Sequence, residues 1–477
     1  MNDDSKLFAS FPPVKPEEWI QQAIKDLKGA AFETLEYTTA EGITVKPFYT
    51  AEDIAALPEC RPLFMHTDWD ICEVIYVTDE NEANKKALHA LDNGATALHF
   101  RLTHQTDMPT LLREIGAPYI SLQFSINGDP LIFWNNMRAY ILSQGWQPEQ
   151  LNISVHADFI AQALQQGSAN NTYQKDLETW TKLFTQSTPY KTLCVDAALY
   201  HDAGAPPAYQ LACALAHAHT YINACTEAGI PPASLDGRIQ VTLAAGTDYF
   251  FEIAKFRALR KVFALLLETY GIKNQLYVHA VTADRPLTIY DAYNNLLRTT
   301  TAAMAAVTGG CNTLSVTPFD STFTTDNEFS RRIARNIQLI LKHESHFDKI
   351  ADSAAGSYFI EMLTEQIAEK AWNGFQQIEA AGGFPECLRA GSVQETISSF
   401  AAKEQEDFAA GKIILVGANK YPDLSEQMQE KISIPPAPET DKNGAYDIQP
   451  LAAIRLSAHH EQARLVEENK KHEKGFQ

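Results

Sequence analysis

Apolar residues along this chain follow two spacings. Eight short segments are rich in β-branched and apolar residues and have the length of buried strands: 72–77, 95–100, 119–124, 151–155, 192–196, 239–243, 276–280 and 313–316. Each is followed by a stretch long enough for an amphipathic helix. In 247–270, for example, apolar residues recur at Phe251, Ala254, Ala258, Val262 and Leu265, with Thr247 expected as N-cap and Gly271 as the stop. Eight strand–helix units in order predict an α/β fold, a (β/α)8 TIM barrel. Alternation alone also suits a doubly wound open sheet, and the count favours closure.

The pattern divides the chain into three parts: an extended N-terminal arm over 1–65, the barrel over 66–400, and a C-terminal linker and helical tail over 401–477. The arm holds one helix-like stretch, 17–28, and then Pro-punctuated chain through GITVKPFYTAED, which buries little by itself. It is expected to wrap a surface, with Phe48 and Tyr49 as contacts to a partner or, equally, to its own barrel. After 400 the sequence passes through LVGANKYPD and IPPAPETDKNGAYDIQP into a charged tail. No tandem repeat stands out.

With 477 residues, 45% of them hydrophobic, the chain can bury a large core. Its 39 basic and 59 acidic residues give a net charge of −20, a field that repels nucleic acid and anionic lipid. No apolar run reaches membrane-spanning length. The acidic start MNDDSKLFASFPP resembles neither a signal nor a transit peptide, so a cytoplasmic location is expected. Seven cysteines (Cys60, Cys72, Cys194, Cys213, Cys225, Cys311, Cys387) form no CxxC pair and read as reduced core thiols.

Chemistry in a barrel of this kind sits at the C-terminal ends of the strands. The polar residues expected there are His104, Asn127, His156, Asp158, Asp196, His201, His279, Thr317 and Asp320. No HxH, HExxH or closely spaced carboxylate pair joins the histidines, so no metal site is assigned. Gly309-Gly310 precedes a strand and reads as a helix C-cap, not a phosphate cradle. The basic residues Lys255, Arg257, Arg260, Lys261 and Arg331, Arg332, Arg335 are expected on helices as solvated or partner-facing charges.

Three runs, GRIQVTLAAGTDYFFEIAKFRALRKVF, YDAYNNLLRTTTAAMAAVTGGCNTLSVTPFD and SRRIARNIQLIL, resemble the methylmalonyl-CoA mutase family. The resemblance extends from EEWIQQAIKDLKGAAFE to LVGANKYPD. It implies a barrel threaded by coenzyme A and a radical isomerisation of methylmalonyl-CoA to succinyl-CoA that depends on adenosylcobalamin. It also implies that scaffold positions are kept while pocket positions are not. The family arginine that pairs with the substrate carboxylate falls on Gln166, the glutamine after strand seven on Val281, and the His and Asn after strand eight on Ser315 and Thr317. His279 is retained; the family's catalytic histidine falls on Leu199 without a gap and on His201 with one. The TRG-like segment that touches coenzyme A is not recognisable in PECRPLFMHTDWD.

His201 and His279 are therefore the catalytic candidates, and Arg257 a substrate-binding candidate. No D-x-H-x-x-G cobalamin motif occurs, and the cobalamin-like domain that the resemblance implies is expected to be absent from this chain, which is then either naturally short or trimmed of a degenerate version. By resemblance the chain is expected to be a small, non-catalytic subunit that stabilises a large catalytic one as a heterodimer. Adenosylcobalamin is then expected on that partner and none on this chain, with a homodimer possible in isolation. The alternatives are an acyl-CoA-binding barrel, or an independent mutase served by a separate cobalamin-binding protein.

Overall fold

The structure is a computed structural model that describes residues 14–57, 62–167, 172–273, 276–434 and 447–475. The arm contributes α1 (Pro16–Asp26) and a hairpin of β1 (Tyr37–Thr38) and β2 (Thr44–Val45). The first half of the barrel runs β3 (Asp70–Val77), α2 (Glu80–Asp92), β4 (Ala97–Leu102), α3 (Met108–Leu111), β5 (Ser121–Ser125), α4 (Pro130–Gln144), β6 (Asn152–His156), α5 (Phe159–Gln166) and α6 (Tyr173–Gln186). The second half runs β7 (Leu193–Asp196), α7 (Ala198–Asp202), α8 (Pro207–Glu227), β8 (Ile239–Ala245), α9 (Tyr249–Thr269), β9 (Tyr277–Thr282), α10 (Asn294–Thr308) and β10 (Thr313–Ser315). Helices α11 (Glu328–His343), α12 (Tyr358–Ala380), α13 (Phe384–Arg389), α14 (Ser392–Ala409) and α15 (Ala458–Gly475) follow.

All eight expected strands are present and every barrel pairing is parallel, in the order β6-β5-β4-β3-β10-β9-β8-β7. The two ends of this sheet meet. Ser154 on β6 bridges Lys191 just before β7, and Val155 donates its N–H to the Lys191 carbonyl at 2.7 Å. The open-sheet alternative is thereby excluded. Alternation along the strands explains the layering. Leu98, Phe100, Leu122, Phe124, Ile153 and Val155 point to the helices and are essentially fully buried. Their neighbours His99, Gln123, Ser154 and His156 face the lumen.

Two expectations about α9 and α11 are corrected. Helix α9 starts one turn position later than expected, with Asp248 as N-cap and no side-chain cap bond, so Thr247 does not cap it. The basic residues are also not mainly solvated. Lys255, Arg257, Arg260 and Arg335 are buried and Arg331 is half-buried, whereas Arg332 remains exposed. Lys255 pairs with Glu252 one turn away on its own helix and Arg331 with nearby Asp326, but the other partners lie far away in sequence: Arg257 pairs with Asp352 and Glu361, Lys261 with Glu365, and Arg331 and Arg335 with Glu73 on β3. Arg260 donates to the carbonyls of Leu276 and Gly310. Spacing along a helix shows its faces but not the acids that a neighbouring element supplies. At the end of α10, Gly309-Gly310 is a helix C-cap as expected, with Gly310 at φ +87°.

The arm packs on itself and on the barrel. Phe48 lies on Trp19 with ring centres 3.9 Å apart, and Tyr49 packs against Phe359 of α12 at 5.6 Å. Helix α1 buries none of its residues. Near the other end, residues 451–456 form a strap across the C-terminal side of the barrel. Leu451, Ile454 and Leu456 donate backbone N–H groups to the carbonyls of Leu164, Asp202 and Arg285 at 2.6, 2.8 and 3.0 Å. The six described cysteines are buried free thiols, and Cys60 lies outside the described residues, as does part of the PECRPLFMHTDWD run.

Candidate functional site at the barrel mouth and lumen

The lumen is crossed by a hydrogen-bonded set of side chains that the inward phase of each strand supplies. Gln240 on β8 donates to Gln123 Oε1 at 3.0 Å, and Ser154 donates to Gln240 Oε1 at 2.7 Å. His156 Nε2 lies 3.1 Å from Gln123 Oε1 and 3.2 Å from Gln240 Nε2. His99 stacks on His156 with centroids 4.9 Å apart and meets His279 edge-on at 5.7 Å. His99 Nε2 sits 2.7 Å from Ser125 Oγ, and His279 Nε2 sits 2.9 Å from Ser315 Oγ. Gln123, Gln240, His279 and Ser315 are all 2% exposed or less, so this layer closes the passage with protein atoms.

Below it, Asp70 accepts from Tyr277 at 3.2 Å and Ser121 at 2.5 Å, and Lys191 donates to Asn152 at 2.5 Å. Burial holds the three imidazoles neutral, with Arg101 adding to the effect in each. His279 is pushed down to about 3 and His156 to about 4, and His99 lies well below the usual range. Neutral imidazoles are suited to hydrogen-bonded packing. They are not poised to carry a proton at pH 7.

At the mouth above this layer the charges are mostly acidic. Asp196 at the end of β7 is raised to about 6 by burial, with Arg101 opposing and Asp158 and Asp202 adding to the rise. Asp202 on α7 is also raised to about 6 by burial, against Arg285, Lys255 and Arg101. Asp284 accepts from Ser321 Oγ at 3.3 Å. A cation among them, Arg101, is the penultimate residue of β4 on the same inward phase as His99, lies exposed 5.7 Å from the Tyr76 ring centre, and was missed by the sequence reading. Continuing the Ala97-His99-Arg101 alternation to the strand's end would have found it.

His201 and His279 do not share a site. His279 belongs to the closed layer. His201 is half-buried on α7 with Nδ1 3.4 Å from Asp202, and its Nε2 is wedged near Gly246, where a β-carbon would come within 3.1 Å of it and 3.2 Å of Glu252 Oε1. Burial and Lys255 push its pKa down to about 4. Thr317 donates its hydroxyl to the Thr282 carbonyl at 2.6 Å, and Val281 is half-buried beside it.

Gln166 ends α5 away from the histidines, lining a cavity of about 220 Å³ with Ile126, Phe159 and Trp180. Arg257 is fully buried and already paired with two acids on the outer layer, so it does not reach the mouth. Asp158 caps α5 and accepts from His217 and Tyr221, behind the barrel wall. His104 is exposed and lies 3.0 Å from Glu80, and Asp320 is buried and accepts from Asn327.

Among the described residues no three or more His, Cys, Asp or Glu side chains are arranged to hold a metal ion, and no helix is long and apolar enough to cross a membrane.

Residues 101–467 match the family model described as methylmalonyl-CoA mutase. The chain is 36% identical to a protein of Porphyromonas gingivalis named methylmalonyl-CoA mutase small subunit, over 98% of this chain and 79% of that protein. It is 29% identical to a Streptomyces virginiae protein of the same name, over 92% of this chain and 75% of that one. A methylmalonyl-CoA mutase of Escherichia coli is 29% identical over 85% of this chain and 64% of its own length.

Proposed function

The chain belongs to the methylmalonyl-CoA mutase family, and from that membership we propose that it acts as the small, non-catalytic subunit of an adenosylcobalamin-dependent methylmalonyl-CoA mutase. In this role it stabilises a large catalytic subunit as a heterodimer. The observation that carries the reading is the closed layer formed by His99, Gln123, His156, Gln240 and His279 across the lumen. A ligand threaded along the barrel axis would have to displace buried side chains, of which Gln123, His156 and Gln240 bond to one another while His99 and His279 pack on them and bond to Ser125 and Ser315, and each polar group orphaned in this way would cost about 1–3 kcal/mol.

Two further features favour the same reading. The acids Asp196, Asp202 and Asp284 surround Arg101, so the mouth opposes a polyanionic acyl-CoA, and the position aligned with the carboxylate-binding arginine is the neutral Gln166. A buried carboxylate left without a charged partner loses about 2–5 kcal/mol.

The residues present do not fit cobalamin. The sequence contains no D-x-H-x-x-G run, and the mouth histidine, His201, turns its Nε2 toward Gly246 and Glu252 instead of open space. In this reading the cofactor belongs to the partner, and the exposed face of α1 with Trp19 and Ile24 contributes to the contact between subunits.

Co-expression with the large subunit, size-exclusion chromatography, and a mutase assay of each chain alone and together test the proposal. It expects a one-to-one complex with turnover and no turnover by this chain with adenosylcobalamin. Turnover by the isolated chain would overturn it.

A further inference from the structure

The tip of the arm hairpin places an acid on the barrel. Residues 39–43 form a tight turn in which Thr39 donates its N–H to the Ile43 carbonyl and Gly42 donates to the Thr39 carbonyl, both at 2.9 Å, with Gly42 at φ +74°. Ile43 just before the returning strand and Val45 at its end are 2% and 3% exposed, which anchors the hairpin. The turn thereby aims Glu41 at the N-terminus of α8. That terminus lacks a cap of its own: Pro206 stands at the N-cap, no side chain of the cap bonds to it, and Pro207 has no N–H.

Glu41 supplies what is missing. Its Oε1 accepts the Tyr209 N–H at 2.9 Å, and the Ala208 N–H also faces the carboxyl. The other oxygen, Oε2, is buried with no hydrogen-bond partner. The charges that face the group come from two other helices, Lys370 of α12 and Lys255 of α9; the hairpin tip adds none of its own.

We propose that Glu41 is a proton-dependent latch that holds the arm hairpin on its own barrel, tight when the carboxyl is protonated and looser when it is ionised. The physical basis is the unpaired Oε2. Docking strips water from the carboxylate and replaces it with donors on one oxygen only, so the docked state favours the neutral acid while the released hairpin does not. Burial raises the Glu41 carboxyl from 4.5 to about 7, against the pull of the Tyr209 and Ala208 N–H groups and of Lys370 and Lys255. Because the docked value lies above the free one, docking is strongest below the free value and weakens as pH rises through the docked one.

Hydrogen–deuterium exchange of residues 37–45 in the full chain, corrected for the intrinsic pH dependence of exchange, reads this equilibrium. Protection is expected to fall about tenfold from pH 6 to pH 8, the ratio that a change from 4.5 to about 7 produces over that interval. Glu41→Gln, which cannot ionise, should abolish this dependence while strand β8 keeps its protection. Protection that ignores pH in the unaltered chain, or the same tenfold loss in Glu41→Gln, would overturn the proposal. Lys370→Gln gives an independent reading: removing a cation that favours the ionised acid moves the midpoint to higher pH, and an unmoved midpoint counts against the latch.

Discussion

Asp158 ties three elements together behind the barrel wall, and its removal is the perturbation whose cost the structure fixes best. Its carboxylate accepts from the Ala161 N–H at 3.0 Å, the Asp196 N–H at 2.9 Å and the Tyr221 hydroxyl at 2.8 Å, and it lies 2.9 Å from His217 Nε2. The Tyr200 hydroxyl lies 2.9 Å from His217 Nδ1, so one carboxylate orders α5, the end of β7 and the buried face of α8. Asp158→Ala leaves four donors unpaired at a site where Asp158 itself is 6% exposed. At about 1–3 kcal/mol for each orphaned group, with part recovered by relaxation and by water entering the space, we expect a loss of about 3–5 kcal/mol.

Urea unfolding followed by circular dichroism, with the slope compared between variant and parent, measures it. A change under about 1 kcal/mol would mean that the four donors find other partners at no cost. The pH dependence gives a second check. Although burial pushes the Asp158 carboxyl upward, His217 and the backbone donors hold it below the ordinary 3.8 overall. Its stabilising contribution is therefore present above that value and lost as pH falls through the lower, folded one.

Glu73→Gln strands Arg335 against β3 and leaves Arg331 with Asp326 alone, and should cost about 3 kcal/mol in the same unfolding assay, whereas Arg332→Gln on the exposed face should change it by under about 0.5 kcal/mol. Gly310→Ala combines a φ of +87° with a β-carbon 2.4 Å from the Phe64 ring, so it should destabilise by more than the roughly 1 kcal/mol of the backbone strain alone, read as a lowered midpoint of urea unfolding. The lumen imidazoles have folded values below the free 6.5, so the stability that depends on their neutrality is present above 6.5 and is lost as pH falls toward about 4 and about 3 for His156 and His279. His279→Gln should remove about one proton from the acid-side slope of unfolding free energy against pH.

The strands were legible because buried parallel strands carry compact apolar runs that differ from the helical period, and the Gly310 cap was legible because only a residue without a β-carbon suits that conformation beside Phe64. What escaped depends on contacts between distant parts of the chain. Arg257 looked like a surface cation until Asp352 and Glu361 were brought to it, and Glu73 on β3 was invisible as the partner of Arg335 across 262 residues of sequence. Asp158 looked like a mouth residue because it follows β6, yet its carboxylate turns back to cap α5. His99 was hidden in an apolar run although its phase within β4 pointed to the lumen, and His279 turned out to be its packing partner instead of a partner for His201.

If the side-chain layer across the lumen fills the path that an acyl-CoA would take, the isolated chain binds none. Isothermal titration calorimetry of the isolated chain with methylmalonyl-CoA, and with coenzyme A as a second titrant, measures this. Only heats of dilution are expected for both. A saturable one-to-one isotherm that is lost on Arg101→Ala would contradict it.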